Sequence, residues 1–213
     1  MRRHIVTFLK RTLNPQPNAR AEWPRILPGA VSIGSGTRIA GSQLRVEDAN
    51  GCALDIGAQS NIEGALIFEK SGAQINVGAR THIGGGTLID AACRIEIGND
   101  VLVGFDALLM DHDSHSLRFA IRRNDVRGII EGTKDWTDVR MAPIVIHDKA
   151  WIGARAIILR GVTIGEGSIV AAGSVVTKSI PAWSIAAGNP ARIVRAMTED
   201  ERDFEQTALI GNK

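Results

Sequence analysis

From residue 146 the chain falls into sixes: IHDKAW, IGARAI, ILRGVT, IGEGSI, VAAGSV and VTKSIP. Each opens on Ile or Val, and a small or β-branched residue holds the fifth position: Ala150, Ala156, Val162, Ser168 and Ser174. The same register appears upstream in IGSGTR (33–38), IGAQSN (56–61), VGARTH, IGGGTL and IDAACR (77–94), and IGNDVL and VGFDAL (97–108). A period of six matches neither an amphipathic helix nor a simple alternating strand. It predicts a short strand and a sharp corner, repeated, with three units closing one triangular coil. The opening aliphatic residue points inward and stacks on its equivalents above and below. Each such residue, fully buried, contributes about 1.5–3 kcal/mol. The glycine that often follows suits a tight corner or a close backbone approach.

Coil starts at Ile33, Ile56, Val77, Ile97, Ile146 and Ile164 are separated by 23, 21, 20, 49 and 18 residues. The early coils therefore carry small insertions and one interval carries a large one. That excursion, residues 110–143, opens on LLMDHDSHSLRF (108–119) and holds two of the five histidines. A narrow coil has no cavity, so a ligand must sit outside it, and a loop of this length is usually functional or disordered. Its six basic residues are balanced by six acidic ones, which suits a polar, hydroxylated ligand better than a polyanion.

Composition narrows the classes. Aromatics make up only 4% and tyrosine is absent, so the core must be aliphatic. The net charge of +2 gives no general affinity for nucleic acid. Cys52 and Cys93 stand far apart with no CxxC or Cys/His cluster, so both read as buried thiols. The N-terminal MRRHIVTFLKRTL has an apolar run from Ile5 to Leu9 that Lys10 stops, with no cleavage site after it. No stretch reaches the roughly 18 apolar residues of a spanning helix. The expected location is cytoplasmic. Residues 1–20 carry five positive charges and no acid. They are expected to form an amphipathic helix and linker that caps the coil or touches an anionic membrane surface. Residues 21–197 form the coil domain, and 198–213 a tail opening on the N-cap Thr198.

The hexads, the excursion, the segment APIVIHDKAWIGARAIILRGVTIGEGSIVAAGSVVTKSIP and the closing AAGNPARIVRAM resemble the hexapeptide-repeat acyltransferases. The likeness is to the galactoside, maltose and polysaccharide O-acetyltransferases and covers about residues 30–197. It implies a left-handed parallel β-helix, an all-β fold, assembled as a homotrimer. The handedness comes from the resemblance alone, since the general crossover rule favours the right-handed sense. It also implies acetyl-coenzyme A as co-substrate and a sugar or polysaccharide precursor as acceptor. In the polysaccharide-type members a loop histidine is the general base. Ungapped alignment of HDSHS puts that role on His115, with Asp113 as the assisting acid.

The chemistry asks for such a pair. A hydroxyl is a poor nucleophile at neutral pH, and an imidazole can take its proton as it attacks a thioester. A carboxylate behind the ring fixes the tautomer and steadies the imidazolium. Asp111 and Asp113 could instead simply cap the turn. His112 either shapes the loop or faces the acceptor, with the role of base as its third possibility. Trp136 either stacks on a sugar face or anchors the loop.

For the donor, the resemblance points to Trp151, expected beside the excursion's return, and to the backbone N–H of Ala154 near the thioester oxygen. It adds the strip Ala172, Gly173, Thr177 and Lys178, and Arg192 and Arg195 for phosphate charge. Three other readings stand beside this one. They are an amino-sugar N-acyltransferase, a zinc enzyme like the gamma-class carbonic anhydrases using His82 and His147, and a non-enzymatic scaffold. The C-terminal motifs favour acyl transfer, so no metal is expected.

Overall fold

A computed structural model describes residues 29–40 and 43–202. The expected N-terminal helix and most of the C-terminal tail fall outside these residues. The hexads form short strands on three faces of a parallel β-helix of about seven turns. On the first face, Ala30–Ile33, Ala53–Ile56, Gln74–Val77, Arg94–Ile97, Ile144–Ile146 and Thr163–Ile164 stack in that order. The second face runs Arg38–Ile39, Asn61–Ile62, His82–Ile83, Leu102–Val103, Trp151–Ile152, Ile169–Val170 and Ser184–Gly188. The third runs Gln43–Val46, Ala65–Phe68, Leu88–Ala91, Leu108–Met110, Ile157–Leu159 and Val175–Val176. The chain leaves each strand at a corner and returns one coil higher, so neighbours on a face are parallel. Among the described strands only the closing one, Ala191–Ala196, pairs antiparallel, against Ser184–Gly188.

Register follows the period. All six coil starts read from the sequence stack in one column, Ile33–Ile56–Val77–Ile97–Ile146–Ile164. Matching columns run Ile62–Ile83–Val103–Ile152–Val170 on the second face and Leu44–Leu66–Ile89–Leu109–Ile158–Val176 on the third. Most of these side chains are essentially solvent-free. The core is therefore a stack of like residues whose extent grows with each coil.

The glycine of the motif serves close approach. Gly57 and Gly78 have ordinary backbone angles, yet a Cβ on Gly57 would lie 2.4 Å from the nitrogen of Ala79 in the next coil. Positive φ falls two residues later instead, at Gln59, Arg80 and Asp100. The fifth position does more than stay small. The Thr81 hydroxyl donates to the Gly98 carbonyl at 2.8 Å and accepts from the Val101 N–H, tying successive corners together. Ser60 repeats the arrangement one coil lower.

The excursion leaves after Met110, at the corner between the third and first faces. It contains two short helices, α1 (Phe119–Arg122) and α2 (Asp125–Glu131). Beyond the closing strand, α3 (Glu199–Arg202) is started by Thr198, whose hydroxyl accepts the Glu201 N–H while Glu201 accepts the Thr198 N–H. This is a capping box.

Candidate functional site

The root of the excursion is pinned first. Asp111 is fully buried, and its carboxylate accepts the N–H groups of Ala92 and Cys93 at 2.8 and 2.9 Å. Burial raises its pKa, opposed by these backbone donors and by His112. The two limbs then zip together. Ala142 donates to the Asp111 carbonyl and Asp113 to that of Arg140. Farther out, Asp138 takes the Arg118 guanidinium and the Ser116 hydroxyl, which lower its pKa to about 2.

The two histidines have separate environments. His112 is 2% exposed and packed inside the loop rather than open to the cleft. The Ser114 N–H donates to its Nδ1 at 3.1 Å, which leaves Nε2 to carry the proton, 3.5 Å from Asp90. Its ring meets the Trp136 ring edge-on at 5.3 Å between centroids. His115 is half-exposed, and its Nδ1 lies 2.6 Å from Asp125. A carboxylate there accepts the Nδ1 proton, so Nε2 keeps the lone pair a base needs.

The acid behind His115 is thus Asp125, ten residues farther on, and not Asp113 as the sequence suggested. Asp113 turns the other way and binds the Arg160 guanidinium at 2.6 Å. Its proximity in sequence misleads, because Ser114 adopts a left-handed conformation, with φ 59°, between the two side chains. Asp125 reaches His115 only because α2 folds back over the loop. Its sequence signal is faint: an acid in the first helical turn with glycine three residues on.

His115 lies on the wall of a cleft of about 580 Å³. One side of the cleft is the excursion, with Ser114, Gly128, Lys134 and Trp136. The other side is the corner of the first two coils, with Arg45, Asp48, Glu69 and Lys70. The lining charges alternate: Glu69 sits between Arg45 and Lys134. Lys134 also covers the Trp136 ring, its Nζ 3.8 Å from the centroid. Trp136 thus sits on the cleft wall between the His112 ring and Lys134.

The expected donor residues lie elsewhere on this chain. Ala154 and the exposed pair Ala172 and Gly173 form a ledge at the corner between the second and third faces. A Cβ on Gly173 would meet open space. Trp151 stands on the second face, 51% exposed, in register between Leu102 and Ile169. It is one full face beyond the excursion's return, and not beside it as expected. Thr177 and Lys178 are exposed at the third-to-first corner, above the excursion root. Arg192 is exposed on the closing strand. Arg195 forks onto Glu201 at 2.6 and 2.7 Å, so a carboxylate already neutralises the charge expected to meet phosphate. His82 and His147 are not brought together with the loop histidines. Among the described residues no three His, Cys, Asp or Glu side chains converge as a metal-binding group.

Residues 143–178 match the family model of the bacterial transferase hexapeptide, six repeats. With the coil already in view, the match places that repeat on the fifth and sixth coils, and it covers 36 of the 213 residues. Galactoside O-acetyltransferase of Escherichia coli is 28% identical over 149 residues, 70% of this chain and 66% of that protein. A Schizosaccharomyces pombe protein, provisionally named an acetyltransferase, is 41% identical over 114 residues, 54% of this chain. The chain spans about half of that relative's length, 48%. Among solved structures, the polySia-specific acetyltransferase NeuO superposes with a TM-score of 0.59 at 26% identity, covering 79% of this chain and 83% of NeuO. The N-acyltransferase AntD from Bacillus cereus, in complex with dTDP and 3-hydroxybutyryl-CoA, gives a TM-score of 0.62 at 20% identity. It covers 84% of this chain and 89% of its own, and that likeness carries the fold alone.

Proposed function

We propose that this hexapeptide-repeat protein is an O-acetyltransferase. It moves an acetyl group from acetyl-coenzyme A directly to a hydroxyl of a sugar or polysaccharide precursor. The observation that carries the reading is His115 on the wall of the cleft, with Asp125 bonded behind its ring. Nε2 of His115 takes the acceptor's hydroxyl proton as the oxygen attacks the thioester carbon. Asp125 holds the ring in the required tautomer and balances the imidazolium. The proton then passes to the departing thiolate of coenzyme A. The alternating charges of the cleft suit a ligand rich in hydroxyls, which donates and accepts at each position.

The donor ledge and the cleft lie far apart on one chain. The ledge occupies the corner before the third face, in the fifth and sixth coils, whereas the cleft follows that face and bends toward the first two. The offset along the axis is three to four coils at about 4.8 Å each. That separation supports a homotrimer in which the excursion of one chain serves the ledge of a neighbour. The exposed apolar side chains Leu102, Phe105 and Trp151 supply a surface for such packing.

The test is acetyl transfer to a panel of sugars, with His115→Ala and Asp125→Asn as comparisons. Loss of transfer in His115→Ala with acetyl-coenzyme A binding intact supports the reading. Unchanged turnover in His115→Ala overturns the assignment of the base. The acids of the cleft wall, Asp48 and Glu69, leave room for a second reading, an amino-sugar acceptor. In that case the rate follows deprotonation of the amine, and N-acetyl products appear.

A further inference from the structure

The helix that holds Asp125 has two unlike sides. On its inner side, Asp125 meets His115, and Gly128 and Gly132 line the cleft. On its outer side, Val126 and Ile130 stand one turn apart, 70% and 80% exposed. Leu117 and Phe119, which lead into it through α1, are 63% and 68% exposed. Scattered apolar residues on a surface need no explanation, but a contiguous patch does.

Charge separates this patch from an ordinary one. Arg118, Arg122, Arg123 and Arg127 are interleaved with the apolar side chains. The acid among them, Asp125, is buried and turned inward to His115. Asp138 neutralises Arg118. Arg122 donates to the carbonyls of Ser116 and Leu117 and stands 6.0 Å over the Phe119 ring, and among the described residues no carboxylate pairs with it. Among the described residues no carboxylate pairs with Arg123 or Arg127. Glu131 and Asp135 lie to one side, around a smaller hollow that also takes Arg127.

We propose that the tip of the excursion docks on an anionic lipid surface. Phe119, Val126 and Ile130 enter the headgroup layer, and Arg122, Arg123 and Arg127 meet lipid phosphates. Exposed aliphatic and aromatic side chains ringed by arginine are the pattern of an interfacial helix, in which burial and charge attraction add. Each cation near an anionic surface strengthens binding about fivefold at moderate salt. The same helix walls the cleft on its other side. Docking therefore sets the cleft beside the lipid surface, where an acceptor carried on that surface would reach it. The proposal does not depend on the acetyl-transfer reading.

The experiment is flotation of the full chain with vesicles of pure phosphatidylcholine and with vesicles containing about 30% phosphatidylglycerol. Binding is expected only to the anionic vesicles, and it weakens as salt rises. Two double variants, Val126→Ser with Ile130→Ser and Arg123→Gln with Arg127→Gln, each lower the partition coefficient about tenfold or more. Their thermal melts stay those of the parent, because every altered side chain is exposed on the chain, and their oligomeric state is unchanged when lipid, not a second copy, is the occupant. Three results would overturn the proposal. The parent chain fails to float with anionic vesicles. The variants float as well as the parent, which moves binding to the basic segment 1–13. The variants change the oligomeric state but not flotation, which makes a second copy of this chain the occupant.

Discussion

The coil and the excursion of this protein are built in opposite ways. In the coil, each residue repeats the environment of one a coil below, and aliphatic burial supplies the stability. In the excursion nothing repeats, and named polar pairs hold the shape: Asp111 on two backbone N–H groups, Asp113 on Arg160, Asp138 on Arg118, Asp125 on His115. The difference teaches where chemistry can be placed. A solenoid side wall offers identical surfaces at every level, whereas a loop can bring unlike groups together once and hold them. The coil supplies the rigid corner that closes the cleft from the other side.

Substitutions divide along the same line. The largest effect expected is on activity alone. His115→Ala lowers turnover about 10²–10⁴-fold, the usual worth of a general base, and leaves the coil's melting temperature unchanged, because the pair with Asp125 that it breaks lies wholly within the excursion. Steady-state kinetics beside a thermal melt separates the two quantities, and a large loss of stability would refute the division. Next come the two phenylalanines, one from each region. Phe68→Ala in the coil removes a fully buried ring and is expected to cost about 3–5 kcal/mol. Phe119→Ala in the excursion, 68% exposed, is expected to change stability by less than about 0.5 kcal/mol. Denaturant unfolding of both variants measures the contrast.

Asp111→Asn probes the joint between the regions. An amide cannot accept both the Ala92 and Cys93 N–H groups with two oxygens, so about 1–3 kcal/mol is lost. The loss is local if the coil stands alone, and amide exchange should rise at 90–93 and through the excursion while distant coils keep their protection.

The smallest effect is a pH response. The folded pKa of Asp138, about 2, lies below the ordinary aspartate value of 3.8, chiefly through its bond from Arg118. An acid with a depressed pKa contributes its stabilisation above its unfolded value and loses it as pH falls through the folded one. The tether between the two limbs is therefore present at neutral pH and fades from about pH 4 down to about 2. Backbone amide shifts of Ser116 and Arg118 followed by NMR should titrate in that window. In Asp138→Asn the transition should disappear, and its persistence would mean that another acid is responsible.

The sequence by itself determined the coil. Six coil starts were readable as Ile33, Ile56, Val77, Ile97, Ile146 and Ile164, and all six stack in one column. This legibility has a physical cause: a residue pointing into a repeating coil has the same surroundings at each level, so burial leaves a period in the chain. The sequence also located the excursion, because an interrupted period is visible. Only the tertiary structure decided what the excursion does with its residues. It replaced Asp113 with Asp125 behind His115, buried His112, packed Trp136 under Lys134, and bound Arg195 to Glu201. It also moved Trp151 a face away from the loop it follows closely in sequence. Each of these depends on where a single segment folds back, and a contact made once leaves no period to read.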